Sequence, residues 1–265
     1  MNNISWVFQF AFPQVNANAI SKVIQLYETK NSRHSVMLVG KTQSGKTVTW
    51  QTLKKALTRL HHENEPGYEK VQEYTINPKS VSLGELYGEF DLSTNEWTDG
   101  ILSSVMRSCC ADNKPDEKWI FFDAPVDANW IESMNSVMDD NKILTLINSE
   151  RIAMPEQVSL LFETENLEVA SPATVSRCGM VYCDYLDLGW HSHIQSWIQA
   201  KPHKELRQEL TTLVDKYIRP ILDFKRRSCS ELVAIAELNG IKSMCNLFDA
   251  FATPENGIDP QASFV

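Results

Sequence analysis

The sequence predicts an α/β fold in three layers, a parallel sheet with helices on both faces, followed by a small all-helical subdomain. Two observations predict this fold. Apolar segments of strand length alternate with helical segments as far as Cys183, which is the order that builds a parallel sheet. From Leu188 onward, helical patterns continue without further strand patterns. We therefore place a large α/β subdomain at residues 1–187 and a small helical subdomain at residues 188–265.

The composition is typical of a globular protein, because 43% of the 265 residues are hydrophobic and 22% are charged. The net charge of −9 disfavours a nucleic-acid-binding surface. The sequence has no run of the roughly 18 apolar residues that a membrane-spanning helix requires. The six cysteines show neither the closely spaced pair of a zinc site nor a disulfide framework. We expect no nucleic acid and no membrane among the partners of the chain.

The first predicted elements lead to a glycine-rich loop. Apolar residues at helical spacing predict a helix over Val15–Lys30, and Ser35–Val39 has the composition of a buried strand. Gly40 ends that strand, and a helix-favouring segment follows the loop as far as about His62. The aromatic-rich segment Met1–Pro13 is expected to be a strand or an extended segment that packs onto the subdomain.

The loop has the pattern of a Walker A motif, with glycine at its first and sixth positions followed by lysine and threonine. Glycine lets the backbone turn so that successive N–H groups face one anion, and the following helix adds its positive dipole end. Lys46 is expected to reach the outer phosphates of a nucleotide, and the Thr47 hydroxyl to ligate Mg²⁺. The predicted nucleotide-binding residues are Gly40, Lys41, Thr42, Gln43, Ser44, Gly45, Lys46 and Thr47.

Between this loop and the next motif, the sequence predicts one strand and two helices. The strand is expected at Val71–Ile76, a short helix at Ser82–Tyr87 and a longer helix at Ile101–Cys110. The intervening segment Gly88–Gly100 is polar, aromatic and rich in turn residues. This composition predicts a projecting loop or a hairpin.

A second phosphate-site motif occurs at Trp119–Phe122, four large apolar residues that are followed by Asp123. Such a Walker B pattern is weak by itself, because apolar runs that end in aspartate are common. A Walker A loop roughly 75 residues upstream strengthens the interpretation, since the buried strand then delivers its carboxylate beside the metal. We therefore predict that Asp123 and Thr47 hold Mg²⁺.

The position directly after this carboxylate is occupied by Ala124, which has no acid–base capacity. Asp127 lies four residues beyond Asp123, past a proline, and is expected to point elsewhere. Glu132 belongs to the next predicted helix, so both acids are poor substitutes for a general base. Loss of a general base typically costs about 10²–10⁴ in rate. The two motifs therefore predict a site that binds ATP with Mg²⁺ and holds it for long periods.

The remaining elements complete the two subdomains. The rest of the large subdomain is expected to contain the helix Asp127–Met138, the hairpin strands Ile143–Ile147 and Glu150–Met154, and the strands Val158–Glu163 and Cys178–Cys183. The small subdomain is expected to contain the helices His191–Ala200, Leu206–Tyr217, Arg219–Arg227, Glu231–Leu238 and Ile241–Phe251.

Further segments make the pattern more specific than the two motifs alone. These segments are Asn77-Pro78-Lys79-Ser80, Leu86-Tyr87-Gly88, Glu96-Trp97-Thr98-Asp99-Gly100, Pro125-Val126-Asp127-Ala128, Met134 to Lys142 and Ala170 to Tyr182. Together they resemble the dynein heavy chain, a member of the AAA+ class of P-loop proteins. More closely, they resemble its second AAA+ module in the axonemal (ciliary) dyneins. The resemblance covers nearly the whole chain, from about Val23 to Phe251.

The resemblance implies a place in a ring of six AAA+ modules, over which a linker swings to drive movement toward microtubule minus ends. Hydrolytic modules carry glutamate after the Walker B aspartate, whereas the second module lacks it and holds ATP without turnover. The implied partners are the adjacent modules and the linker of the same heavy chain, with microtubules bound only through parts absent from this sequence. The implied location is the cytoplasm and cytoskeleton, in a cilium or axoneme.

Individual residues acquire roles from the same resemblance. Arg177 matches an arginine finger that acts on the nucleotide of the neighbouring first module, although taken alone it would be interpreted as a structural salt bridge. Gly88–Gly100 and Ile143–Met154 match two inserts that touch the linker. Trp97 is either the apolar contact to the linker or a residue that packs in its own subdomain. Glu163 and the nearby Glu165 replace the polar sensor residue usual in the family, which also disfavours hydrolysis.

Two other interpretations remain open. The chain is alternatively an autonomous ATPase whose attacking water is positioned by another acid. It is otherwise a ring scaffold that binds no nucleotide, although the intact Walker A motif argues against this. Whether the chain is itself an enzyme is left undecided, because the parent motor is an ATPase and this module is expected not to hydrolyse ATP.

Overall fold

The computed structural model describes residues 17–233, 235–253 and 256. These residues form two compact units, one that ends at Tyr185 and one that begins at Leu186. The expected extended segment Met1–Pro13 lies outside the described residues.

The first unit is built on a five-stranded parallel sheet. The described strands are β1 (Ser35–Val39), β2 (Val71–Ile76), β3 (Gly88–Phe90), β4 (Trp97–Asp99), β5 (Glu117–Asp123), β6 (Ile143–Thr145), β7 (Arg151–Ala153), β8 (Val158–Thr164) and β9 (Gly179–Tyr182). The sheet has the order β2–β5–β8–β1–β9, and all neighbouring strands are parallel. The predicted parallel sheet is therefore confirmed. Its order places β8 between the Walker A strand β1 and the Walker B strand β5.

Helices connect these strands, and one of them differs from its prediction. The described helices of this unit are α1 (Ala17–Ser32), α2 (Lys46–His62), α3 (Leu83–Tyr87), α4 (Ile101–Ala111), α5 (Ala128–Ile131), α6 (Asn135–Met138) and α7 (Pro172–Arg177). The prediction of one helix over Asp127–Met138 is wrong, because a 3₁₀ turn at Glu132–Met134 separates α5 from α6. Ser133, Asn135 and Ser136 are poor helix formers, since their short polar side chains compete for backbone hydrogen bonds.

Both faces of the sheet are covered by helices. In β5 the four consecutive residues Trp119–Phe122 are all buried, although successive side chains of a strand point to opposite faces. Trp50 of α2 lies against Phe121, with ring centroids 4.3 Å apart. Trp130 of α5 stacks on Phe122 at 5.6 Å. Helices α2 and α5 therefore pack on opposite faces, as the α/β prediction requires.

Two β-hairpins interrupt the alternation of strands and helices. β3 pairs with β4, and β6 pairs with β7, both in antiparallel fashion. Glycine is required at Gly88, because a Cβ there would lie 2.2 Å from the Trp97 ring. The strands β6 and β7 are shorter than expected, because residues 146–150 form the turn between them. The backbone N–H of Leu146 donates to Glu150 O across this turn, and Ser149 has a left-handed φ of 68°. The hairpin itself is confirmed.

The second unit is helical over much of its described length. Its helices are α8 (Tyr185–Gln199, with non-helical backbone at Gly189), α9 (Lys204–Ser228) and α10 (Glu237–Phe251). The two helices expected at Leu206–Tyr217 and Arg219–Arg227 are one helix that continues through Pro220. A proline inside a helix costs about 3 kcal/mol. Burial of an aliphatic side chain contributes about 1.5–3 kcal/mol, and five such side chains on α9 are buried: Leu206, Leu210, Val214, Ile218 and Leu222.

The prediction of a helix at Glu231–Leu238 is wrong for its described residues before Glu237. Residues 231–233 and 235–236 are non-helical, and α10 begins at Glu237. Leu232 and Val233 are exposed, so burial does not stabilise a helix at that point. No helix in the described ranges is both long enough and apolar enough to cross a membrane.

Candidate nucleotide-binding site

The Walker A residues form a tight loop between the end of β1 and the start of α2. Gly40 is required by a close approach, because a Cβ there would lie 2.1 Å from the carbonyl oxygen of Cys183. Gly45, which directly precedes α2, has a left-handed φ of 87°, and Gln43 has a φ of 69°. Glycine adopts this conformation without the steric cost that a Cβ imposes. The two glycines therefore serve different backbone requirements of the same loop.

The side chain of Lys46 folds back onto this loop. Lys46 is 8% exposed, and its Nζ donates to Gly40 O at 2.6 Å and to Lys41 O at 3.1 Å. Both acceptors are neutral carbonyl groups of the loop. A phosphate oxygen competes well with them, because its negative charge attracts the ammonium group directly, whereas a carbonyl oxygen is neutral. The ammonium group of Lys46 therefore lies at the loop where the phosphate is predicted to bind.

The loop also contains a buried hydroxyl group, that of Ser44, whose hydrogen bonding bears on the fit of a phosphate. Ser44 is 3% exposed, and its Oγ has no hydrogen-bond partner among the described residues. It would lie 2.7 Å from a Cβ at Gly40, so it borders the space that the glycine leaves open. A buried hydroxyl without a partner is costly, and a phosphate oxygen would satisfy it. The loop residues therefore fit a nucleotide phosphate.

The predicted metal ligand Thr47 contacts Glu163, the acidic residue expected to replace the polar sensor residue of the family. Thr47 Oγ1 donates to Glu163 Oε1 at 2.7 Å, and Trp50 Nε1 donates to Glu163 Oε2 at 3.2 Å. Glu163 is on β8, and Thr47 and Trp50 are on α2. The signal in the sequence was an acidic residue close to the end of a buried strand, the same pattern that identified Asp123.

The predicted Walker B residue Asp123 is exposed at the end of β5. Its backbone position is paired with that of Glu163 on β8. Because neighbouring strands lie about 4.8 Å apart, the two carboxylates start from adjacent positions at one edge of the sheet. The Walker A loop leaves β1 at this same edge, since Val39 is paired with Thr164. The fold thus places Asp123 beside Glu163 at the end of the sheet where Glu163 contacts Thr47.

Two acids follow Ala124 in the sequence, Asp127 and Glu132. Ala124 is 6% exposed and buried. Asp127 accepts from the backbone N–H of Asn129 at 2.9 Å as the cap of α5, and it forms an ion pair with Lys79. The hydrogen bond from Lys79, followed by that from Asn129, holds the pKa of Asp127 below its usual value. Glu132 is exposed on the 3₁₀ turn.

Arg177, the predicted finger, is the last residue of α7 and is paired within its own chain. Its Nε donates to Asp139, and its Nη1 donates to the Ala173 carbonyl at 2.7 Å. This arrangement is the structural salt bridge expected for Arg177 taken alone. A role toward a neighbouring module stays a prediction, and it requires Arg177 to exchange Asp139 for another anion.

Trp97 packs within its own unit. Its ring lies 5.2 Å from that of Phe90, and its Nε1 donates to Asp99 at 2.7 Å. Leu92, between β3 and β4, is exposed along its whole side chain. Contact with a linker stays a prediction for this hairpin, with Leu92 better exposed for it than Trp97.

Comparison with known proteins identifies the family. A family model described as the AAA domain of the dynein-related subfamily matches residues 35–178. The chain belongs to this dynein-related AAA subfamily. A model of the dynein heavy chain AAA lid domain matches residues 210–264. A model described as the hydrolytic ATP binding site of the dynein motor region matches residues 2–47, which include the Walker A loop.

This dynein-related AAA chain is similar to short segments of axonemal heavy chains. It is 64% identical to dynein axonemal heavy chain 2 of Mus musculus over 93% of the chain and 6% of that relative. For the Homo sapiens heavy chain 2, the values are 63% identity, 91% of the chain and 5% of the relative. It is 47% identical to the dynein-1-beta heavy chain of the flagellar inner arm I1 complex of Chlamydomonas reinhardtii, over 92% of the chain and 6% of the relative.

These matches confirm the predicted resemblance to the dynein heavy chain. The chain spans only 5–6% of the length of each of these relatives. The assignment to the second module of the ring stays a prediction.

Proposed function

We propose that this chain is an ATP-binding module of an axonemal dynein heavy chain that holds Mg²⁺ and ATP with little or no hydrolysis. The observation that carries the proposal is the buried Ala124 directly after Asp123. Lys46, Ser44 and Thr47 supply groups for phosphate and metal, whereas position 124 supplies no proton acceptor. A bound Mg²⁺ would supply charge neutralisation between the phosphates, held by Thr47 and Asp123.

The proposal includes partners and a location. The partners are the adjacent AAA modules and the linker of the same heavy chain, and microtubules are reached only through parts outside these 265 residues. The location is the axoneme of a cilium, within the cytoplasmic cytoskeleton. The similarity to axonemal heavy chains supports both statements. Arg177 is proposed to act on the nucleotide of the neighbouring module as an arginine finger.

The proposal is tested by ATP binding and single-turnover hydrolysis with the 265-residue chain. We expect the wild type to bind ATP and to retain it, with a turnover far below the rate of about 1 s⁻¹ or more that is typical of enzymes. Lys46→Ala is expected to weaken ATP binding roughly 10- to 100-fold, because hydrogen bonds to charged groups contribute about 1.5–3 kcal/mol. Turnover at an ordinary enzymatic rate that Lys46→Ala abolishes would contradict slow hydrolysis.

A matched pair of variants tests the role of position 124. Ala124→Glu introduces the missing carboxylate and is expected to raise the single-turnover rate by about 10²-fold, at the low end of the range for general bases. The glutamine side chain of Ala124→Gln is nearly as large as glutamate but is a much weaker proton acceptor, so this variant is expected to leave the single-turnover rate unchanged. Melting curves of both variants show whether the buried site tolerates the larger side chain.

A second candidate function is an autonomous ATPase, and one observation favours it. Glu163 places a carboxylate next to Thr47, at the edge of the sheet where the nucleotide is expected. If this group activated water, Glu163→Gln would reduce the single-turnover rate about 10²- to 10⁴-fold without changing ATP affinity. A nucleotide-free scaffold is the remaining alternative, and retention of ATP through purification excludes it.

A further inference from the structure

The carboxylate of Glu163 is held at both of its oxygens by helix α2. Oε1 accepts from the Thr47 hydroxyl at 2.7 Å, and Oε2 accepts from the Trp50 indole at 3.2 Å. Thr47 is the first-turn threonine of the Walker A motif, 116 residues from Glu163 in the sequence. The contact therefore links the predicted metal ligand directly to the strand between the two motif strands.

The second donor, Trp50, is itself fixed in place. It is 4% exposed, and its ring lies 4.3 Å from the ring of Phe121 on β5. A buried indole that donates from Nε1 has little rotational freedom. Trp50 therefore orients the Glu163 carboxylate, so that the other oxygen is presented to Thr47.

The direction of the Thr47 hydrogen bond determines what its oxygen is able to bind. A carboxylate only accepts hydrogen bonds, so Thr47 is the donor and its proton points to Glu163. The lone pairs of the hydroxyl oxygen are then turned away from Glu163 and remain available to a cation. Asp123 occupies the paired backbone position on the neighbouring strand, so a second carboxylate begins next to that of Glu163.

We propose that Glu163 is a positioning residue for Mg²⁺: it accepts the Thr47 proton, and so directs the Thr47 oxygen to the cation that accompanies the nucleotide. This inference rests on the proposed function, because it requires a nucleotide in the loop. The negative charge of Glu163 adds to that of Asp123 at this end of the sheet, and two carboxylates together favour a divalent cation.

The variant Glu163→Gln separates this role from packing. Glutamine has nearly the same shape, and its carbonyl oxygen still accepts from Trp50. Its NH₂ group then faces Thr47 and donates to the hydroxyl oxygen, which reverses the hydrogen bond and occupies a lone pair that Mg²⁺ would use. Glu165→Gln is the matched control, because Glu165 is an exposed carboxylate two residues further along.

The test measures the affinity of the 265-residue chain for a non-hydrolysable ATP analogue, adenylyl imidodiphosphate, by calorimetry with EDTA and with MgCl₂. We expect Mg²⁺ to tighten binding to the wild type. Glu163→Gln is expected to keep the wild-type affinity in EDTA. It is expected to reduce the increase in affinity that Mg²⁺ produces, called the gain from Mg²⁺, by roughly 10- to 100-fold, the effect of losing a group that orients a metal ligand. Glu165→Gln is expected to keep the full gain.

Trp50→Phe provides an independent variant, since it removes the indole donor and keeps an aromatic ring beside Phe121. It is expected to reduce the gain from Mg²⁺ several-fold, less than Glu163→Gln does, and it carries the test if Glu163→Gln fails to fold. An unchanged gain in the folded Glu163→Gln variant would overturn the positioning role while leaving the proposed function intact. Absence of nucleotide binding by the wild type under both conditions would overturn both.

Discussion

Arg107 binds the carboxylate of Glu150 through two hydrogen bonds, from Nη1 at 2.5 Å and from Nη2 at 2.6 Å. The Nε of Arg107 donates to Asp99 at 2.8 Å. Arg107 is on α4, Asp99 ends β4, and Glu150 lies in the turn between β6 and β7. One guanidinium group therefore joins the two hairpins, which are the segments proposed to meet the linker. A load on one hairpin is expected to reach the other through Arg107.

We predict that Arg107→Gln loosens both hairpins. Loss of the guanidinium leaves Glu150 and Asp99 with uncompensated charges, and networks of partly exposed ion pairs make modest contributions. Amide hydrogen exchange in β4 and in the Leu146–Glu150 turn is expected to accelerate about two- to fivefold. Arg151→Gln removes the same charge from an exposed position on β7 and is expected to leave these rates unchanged. Equal exchange in both variants would show that Arg107 does not couple the hairpins.

The same contact is predicted to depend on pH. The hydrogen bonds from Arg107 hold the pKa of Glu150 below its usual value of 4.5. A carboxylate with a lowered folded-state pKa stabilises the native state above the unfolded pKa, and this contribution is lost as pH falls through the folded pKa. The difference in urea midpoint between the wild type and Arg107→Gln should therefore be constant between about pH 6 and 8 and shrink below 4.5. A difference that grew on acidification would contradict the assigned pair.

The elements of the sheet and the Walker A loop follow from local sequence patterns. Apolar runs fix β1, β5 and β8, and the spacing of Gly40, Gly45 and Lys46 fixes the loop, because each pattern lies within a few residues. The contact between Thr47 and Glu163 is of a different kind. It depends on the order of strands in the sheet, which places residues 116 positions apart in contact.

Helix boundaries in the second unit illustrate the same limit on local patterns. Two helices were expected at Leu206–Tyr217 and Arg219–Arg227, yet the buried stripe of α9 continues across Pro220. A further helix was expected from Glu231, yet Leu232 and Val233 are exposed. In each case tertiary burial decides the outcome, and burial is not readable from the neighbouring residues alone.

We predict that Gly40→Ala weakens nucleotide binding. The added Cβ would lie 2.1 Å from the Cys183 carbonyl oxygen, a backbone atom that cannot move without shifting β9 or the loop. Affinity for the ATP analogue is expected to fall more than tenfold, because the loop N–H groups would no longer converge on one anion. Gly67→Ala is the control, since Gly67 also has a positive φ, 83°, but has no atom within 4 Å of its added Cβ. It is expected to lower stability by about 1–2 kcal/mol and to keep the affinity.

The last prediction concerns Arg177 in the parent heavy chain. If Arg177 acts on the nucleotide of the neighbouring module, Arg177→Lys should reduce the ATPase rate of that module by about 10³-fold or more, because lysine does not reproduce the fork of donors on a phosphate. The measurement is the steady-state ATPase rate of the whole motor, with nucleotide affinity of the neighbouring module as a second readout.

Asp139→Asn provides the decisive comparison for Arg177. This substitution weakens the ion pair that now holds the Arg177 guanidinium and keeps the arginine itself. If Arg177 is an arginine finger, Asp139→Asn should maintain or raise the ATPase rate, because Arg177 then breaks a weaker contact with residue 139 when it turns to a phosphate. For a structural salt bridge, both variants should lower stability and activity together, since each breaks the same link between α7 and the end of α6. Opposite effects of the two variants therefore support the finger, and parallel losses refute it.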